Sequence, residues 1–299
     1  MALLDRAIAR VLPAVPKPVV RRLAAPYIAG PSLEDAVGVV RRLNGEGKLA
    51  TVDVLGEEVT STAAAGEIAQ AYHRVLARIE GEKLDSNISV KLTGLGLELD
   101  YGLCRANLDA LVEDARVRGN FVRIDMEDSS TTDATLQLYR ELRAAGRENF
   151  GVVLQARLRR TLADAVGLGN VRLCKGIYVE PAPVAFQDPD EIRENFRATL
   201  RVLLDQGSYV GIATHDEVLI VDALAQVRER GLSPDRYEFQ MLLGVRASRG
   251  DELVRDGHRL RVYVPFGTHW YEYSMRRLQE NPKIAGYVAV DTVKRFARR

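Results

Sequence analysis

Lys91 within SVKLTG and Asp125 within RIDMED are charged side chains set in otherwise apolar runs of β type. Burial strips a charge of its hydration, so such a residue persists only beside a partner of opposite sign or a ligand. Taken singly, each suits a structural ion pair as well as catalysis. They do not stand singly. Asp53 lies within, and Glu57 follows, an apolar run at 49–55, and Gln155 closes another at 151–155. Arg172 and Lys175 flank the end of a run at 171–174, and His215 and Asp216 follow one at 209–213. Glu238 and Gln240 lie in 237–242, and Tyr263 lies in 260–264. So many titratable groups at the ends of buried strands point to one shared site. Further on, Tyr273, Arg276, Arg277 and Glu280 fall at i, i+3, i+4 and i+7, so that Tyr273, one of the arginines and Glu280 share a helical face. Two adjacent guanidiniums beside a tyrosine suit bidentate binding of a carboxylate. The same spacing also fits a solvated helix with an Arg276–Glu280 pair. A third chemistry is open at Lys91 or Lys175: a lysine desolvated among strand residues is the nucleophile of Schiff-base lyases.

The elements that position these residues are legible as an alternation. Short runs rich in Val, Ile and Leu occupy 49–55, 87–92, 121–126, 151–155, 171–174, 209–213, 237–242 and 260–264. Their nearly continuous apolar character is that of buried parallel strands. Segments of helical periodicity lie between them, such as 107–117, 132–145, 191–204 and 217–230, and Gly119, Gly146, Gly207 and Gly231 stop these four. Before the first strand, Ser32 reads as an N-cap with Glu34 and Asp35 in the first turn, and a helix runs from Ala36 to Leu43 until Asn44 and Gly45. Eight strands, each followed by a helical stretch, predict an α/β fold of the (β/α)8 TIM-barrel kind. An open doubly wound sheet is the alternative, but its G-x-G-x-x-G turn is absent: Gly94-Leu95-Gly96 lacks the third glycine. A barrel gathers its strand ends at one mouth, which makes the polar ring a single site. The expected domains are an N-terminal helical arm at 1–48 and a catalytic barrel at 49–299.

Composition removes several classes of function. The 299 residues are 46% hydrophobic and 28% charged, which supports a full core and excludes disorder. Forty-two basic against 41 acidic residues leave a formal charge of +1, too balanced for a protein that binds nucleic-acid phosphates. No apolar stretch approaches the ~18 residues of a membrane span. Cys104 and Cys174 have no metal-type spacing and form no disulfide scaffold, which fits a reducing, cytoplasmic setting and a site without metal. The first 30 residues carry Arg6, Arg10, Lys17, Arg21 and Arg22 against Asp5 alone, with four prolines. Leu3, Leu4, Ile8 and Leu12 give one apolar side to a short basic helix, either an arm packed on the body or a peripheral contact with the inner face of a membrane.

The segment YVPFGTHWYEYSMRRLQENP at 263–282 resembles the signature of the proline dehydrogenases, including the corresponding domain of proline utilization A. The likeness extends through DVLGE at 53–57, SVKLTGLG at 89–96, RIDMED at 123–128 and VVLQA at 152–156, then RLCKGIY at 172–178, ATHD at 213–216 and EFQML at 238–242. Any one of these is weak; seven in the right order, with the arginine pair on the last helix, are specific. The resemblance implies a distorted barrel with its last helix over the mouth, and noncovalent FAD at the strand ends. It further implies oxidation of L-proline to Δ1-pyrroline-5-carboxylate, with the electrons passed to a membrane quinone. Carried onto matching positions, Lys91, Arg276 and Arg277 would hold the proline carboxylate. Tyr263 and Asp125 would shape the ring pocket, and Tyr273 and Leu242 would line it. Arg172 would approach the flavin N5 edge, and Gln155, Lys175, Gly176, Tyr178, Thr214, His215 and Glu280 would contact FAD. Lys91, Asp125, Arg172 and Tyr263 form the expected catalytic group, and Glu57 would pair with Arg276 to close the site. After RLCKGIY the chain departs from the bifunctional proteins: it reads VEPAPVAF at 179–186 where they carry an aromatic and then an acidic residue, so no flavin contact carries over to Val179. The aldehyde dehydrogenase half of proline utilization A has no counterpart here, which implies a monofunctional enzyme and a separate pyrroline-5-carboxylate dehydrogenase as pathway partner.

Overall fold

A computed structural model describes residues 25–271, Tyr273 and Ser274. Eight parallel strands close into a barrel in chain order: β1 (Leu49–Val54), β2 (Ser86–Val90), β3 (Val122–Ile124), β4 (Phe150–Gln155), β5 (Asn170–Cys174), β6 (Tyr209–Ala213), β7 (Tyr237–Leu242) and β8 (Leu260–Phe266). β8 completes the circle against β1, with Thr51 opposite Tyr263. The barrel expected from the alternation is the fold observed, and the open sheet is not.

The helices are α1 (Leu33–Gly45), α2 (Thr62–Gly81), α3 (Tyr101–Val117), α4 (Thr132–Ala144), α5 (Thr161–Asp164), α6 (Pro189–Asp205), α7 (Glu217–Glu229) and α8 (Ala247–Arg255). Ser32 caps α1 as a capping box: its Oγ accepts the Asp35 amide, and the Asp35 carboxylate accepts the Ser32 amide at 3.0 Å. The glycines expected to stop helices do so in left-handed conformation, with φ of 63° at Gly119, 82° at Gly146, 80° at Gly207 and 60° at Gly231.

Two departures from the expected alternation have simple causes. Only α5, a single turn, separates β4 from β5, because the span 156–169 is too short for two loops and a full helix. The runs carrying Lys91 and Asp125, expected at 87–92 and 121–126, each end two residues earlier as strands, at Val90 and Ile124. At β2 the chain turns away at once, Leu95 N–H reaching Lys91 O at 3.2 Å, so both charged residues stand just beyond the last paired strand position.

Strand alternation divides the molecule into an apolar layer and a polar one. Val52, Ile88, Val90, Ile124, Val152, Leu154, Leu173 and Ile212 face outward and pack with the helices in the main core. The intervening positions face the barrel axis, and several are polar yet buried: Asp53, Ser89, Arg123, Arg172, Glu238 and Gln240. Helix packing stabilises the barrel from outside, which leaves its interior able to carry charge.

Candidate active site

A cavity of about 510 Å3 opens at the carboxyl ends of the strands, within the ~300–1,000 Å3 common for small-molecule sites. Every residue that the resemblance assigns to the site and the structure describes lines it, whereas Asp53 and Glu238 of the strand-end ring do not: Glu57, Lys91, Asp125, Gln155 and Arg172 come from the first five strands and their loops, and Lys175, Gly176 and Tyr178 follow β5. Thr214, His215, Leu242, Tyr263 and Tyr273 complete the set. Arg276, Arg277 and Glu280 lie outside the described residues, and with them the Glu57–Arg276 pair.

The floor is one connected network. Lys91 Nζ lies 3.0 Å from Asp53 Oδ2, 3.2 Å from the Tyr263 hydroxyl and 3.7 Å from Asp125 Oδ2. Asp53 is held on its other side by the Tyr72 hydroxyl at 3.0 Å. Burial alone would lower the Lys91 pKa, but the carboxylates of Asp53 and Asp125 overturn that and hold it well above the ordinary lysine value. Lys91 is therefore a fixed cation, which argues against the Schiff-base reading, since that chemistry needs a neutral amine. Lys175 is no better suited: it is ion-paired to Asp216 at 3.0 Å, with 42% of its side chain exposed.

Asp125 gathers donors. Its Oδ1 accepts Ser89 Oγ at 2.6 Å and Arg172 Nη1 at 2.7 Å, and its Oδ2 accepts the Tyr263 hydroxyl at 2.9 Å. A carboxylate so surrounded orients its neighbours rather than abstracting protons. Burial, followed by Asp125 and Asp53, raises the Tyr263 pKa well above the usual phenol value, so its O–H stays a donor. The Arg172 guanidinium also lies 5.4 Å from the centre of the Tyr263 ring.

On the β4–β6 side the groups are mainly hydrogen-bonding. Gln155 Nε2 donates to Glu127 O at 2.7 Å. Gly176 has φ +93°, and a Cβ there would stand 2.8 Å from Gln155 Oε1, so a side chain would crowd the cavity wall. His215 Nε2 accepts the Leu242 amide at 3.0 Å, which places the proton of the neutral ring on Nδ1. Asp216 caps α7 and also accepts Lys175 and Arg193, at 3.0 Å and 2.8 Å. Val179 is 97% exposed and does not line the cavity, in keeping with the departure at VEPAPVAF.

Several contributors carried no signal of their own in the sequence. Val153, Cys174 and Ala213 line the cavity through strand alternation alone, and Met126 does so from the loop just after β3. Ser89 and Tyr72 act through the carboxylates they hold. Glu127, within RIDMED, has its pKa pushed up to about 7 by burial, partly offset by the Thr93 N–H and hydroxyl that it accepts.

The barrel, the strand-end cavity and its lysine–aspartate–tyrosine–arginine floor can be set beside known proteins. The sequence matches the proline dehydrogenase family over residues 36–289. The chain belongs to the proline dehydrogenase family. It is 38% identical over 273 residues to proline dehydrogenase 1 of Bacillus subtilis subsp. natto, covering 90% of each chain. It is 35% identical to the proline dehydrogenase of Deinococcus radiodurans, covering 91% of this chain and 90% of that one. The bifunctional protein PutA of Escherichia coli is 24% identical and matches 96% of this chain, which spans only 26% of its length. Among solved structures, proline utilization A from Bdellovibrio bacteriovorus inactivated by N-propargylglycine superposes with a TM-score of 0.80 at 24% identity, over 87% of this chain and 32% of that one. That likeness shows a shared barrel fold. The family assignment makes the protein an oxidoreductase of proline catabolism, as the ordered motifs imply.

Proposed function

We propose that this chain oxidises L-proline to Δ1-pyrroline-5-carboxylate with FAD and passes the electrons to a membrane quinone, the first step of proline degradation to glutamate. The observation that carries this reading is the floor network, which presents one lysine and one arginine, both charge-locked, at the mouth of a barrel belonging to this family. The site fits a flavin on its own terms. Among the described residues, Arg172 Nη2 is buried without a hydrogen-bond partner, a donor beside the cavity that the protein leaves for something else. Gly176 keeps the wall free of a side chain. Gln155, Lys175, Gly176, Tyr178, Thr214, His215 and Glu280 would hold FAD, which supplies the two-electron acceptor when bound.

The chain's own residues do the rest. Lys91, with Arg276 and Arg277, binds the carboxylate of proline. These cations also lower the affinity of the amine for its proton, so that its nitrogen lone pair can assist departure of hydride from the adjacent carbon. Tyr263, Tyr273 and Leu242 shape the space around the ring. Arg172, held by Asp125, faces negative charge as it develops. Glu57 pairs with Arg276 to close the mouth and exclude water. The arm at 1–48 and the barrel at 49–299 form the proposed domains, with Ala36, Val40 and Leu43 of the arm packed into the barrel core. A separate pyrroline-5-carboxylate dehydrogenase takes the product onward.

The test is product identity. Purified enzyme, L-proline and a soluble quinone should yield reduced quinone and a cyclic imine trapped by o-aminobenzaldehyde in equal amounts. Quinone left oxidised, with a keto acid trapped on the protein by borohydride, overturns the proposal in favour of the lyase.

A further inference from the structure

Beneath the cavity floor runs a line of side chains that no step above uses. Arg261 on β8 grips Glu238 on β7 twice, Nε to Oε1 at 2.7 Å and Nη2 to Oε2 at 3.0 Å, and the Tyr209 hydroxyl on β6 donates to Oε2 at 2.8 Å. Burial alone would raise the Glu238 pKa, but Arg261 and the surrounding donors overturn that and keep it ionised. Glu238 Oε1 accepts Gln240 Nε2 at 2.6 Å, and Gln240 Oε1 accepts Arg172 Nε at 2.5 Å.

An amide has one donor end and one acceptor end. Turned about, Gln240 would set its NH2 group against the Arg172 N–H and its carbonyl against the Glu238 carboxylate, two repulsive contacts in a buried place. Glu238 therefore dictates the direction of Gln240, and Gln240 offers Arg172 an acceptor. The neighbouring strand makes room for this: a Cβ at Gly211 would stand 2.4 Å from Gln240 Nε2.

Arg172 is thus held on two sides. Nη1 donates to Asp125 and Ser89, and Nε donates to Gln240. A planar guanidinium fixed at two nitrogens has no rotation left, so the direction of Nη2 is set as well.

We propose that Gln240, locked by the Glu238–Arg261 pair, is the positioning residue that aims the Arg172 guanidinium at the cavity. The kinetic part of this role rests on the function proposed above. The neutrality of glutamine matters here. A carboxylate at this position would cancel the charge of Arg172, which already pairs with Asp125, whereas an amide fixes its direction and leaves the charge available.

The test compares Gln240→Leu and Gln240→Glu with the parent. In an arginine-selective 15N spectrum, the Arg172 Nε–H signal, assigned by its loss in Arg172→Lys, should be protected from exchange in the parent and lose protection in Gln240→Leu. Proline turnover in that variant should fall about tenfold or more, the size expected for a lost hydrogen bond to a charged group, with KM changed far less. The Glu variant supplies a pH signature. Protonated, the introduced carboxyl reproduces both bonds, O–H to Glu238 and C=O to Arg172; ionised, it repels Glu238. Its turnover relative to the parent should therefore rise as pH falls from about 9 to about 6. An unchanged 15N signal or unchanged turnover in Gln240→Leu overturns the proposal. If that variant does not fold, a flat pH ratio for Gln240→Glu overturns it and a rising one supports it. A parent that does not oxidise proline sinks the proposed function instead, and the 15N signal still decides the positioning.

Discussion

Lys91 is committed to two carboxylates before any ligand arrives. With Asp53 fully buried and Asp125 nearly so, the ammonium serves as their structural counter-charge. Lys91→Met should therefore cost stability as well as proline affinity, about 3–5 kcal/mol by the usual penalty for a buried charge left unpaired. Urea midpoints of variant and parent measure this, and an unchanged midpoint contradicts it. Arg123 shows the converse case. It is 2% exposed and donates to Val152 O, Asn170 O and the Asn170 side chain rather than to a carboxylate, and burial followed by the nearby Arg172 lowers its pKa to about 9. Nothing in RIDMED distinguishes this buried arginine from a solvated one.

Strand alternation explains how much of the site was legible. Lys91, Asp125, Gln155 and Arg172 stood out because a charge or amide in an apolar run is anomalous, and the barrel then gathers such anomalies at one mouth. Ser89 was illegible because a serine in such a run is ordinary, and Tyr72 because a tyrosine on the buried face of a helix, α2, is equally so; only the register, Ser89 opposite Asp53 and Arg123, brings Ser89 to the network. The single-turn α5 was missed because β4 and β5 each read clearly, which left the shortness of the span between them unweighed. Loops add their own constraints. Glu58, at φ 54°, gives its amide to Thr93 Oγ1 at 3.2 Å, and Thr93 in turn holds Glu127. The Glu127 pKa rises from 4.5 to about 7 on burial, so its contribution to stability is complete below about 4.5 and is lost as pH climbs through about 7. Glu127→Gln stays neutral throughout and should gain stability relative to the parent between about pH 5 and about pH 8. Thermal midpoints of the two proteins at both pH values check this, and a constant difference contradicts it.

At the scale of the molecule, the segment before α1 is bound to the mouth as well as to the barrel wall. Ala29 N–H reaches Pro265 O at 3.0 Å, Gly267 N–H reaches Gly30 O at 3.0 Å, and Ile28 packs with Leu55 and Tyr273. Residues ahead of the barrel thus support a cavity-lining tyrosine, a link that sequence periodicity could not reveal because it depends on contacts distant in the chain. No helix among the described residues is long and apolar enough to cross a membrane. In the proposed function this cavity joins proline to a flavin at the floor built from Lys91, Asp125, Arg172 and Tyr263. Anaerobic rapid mixing of the purified protein with L-proline tests it most directly. A yellow protein is expected, its flavin band bleaching on mixing at a limiting rate that falls at least tenfold in Arg172→Ala, roughly the loss of one preorganised charge contact. A colourless protein, or a flavin band that proline leaves unchanged, would contradict it.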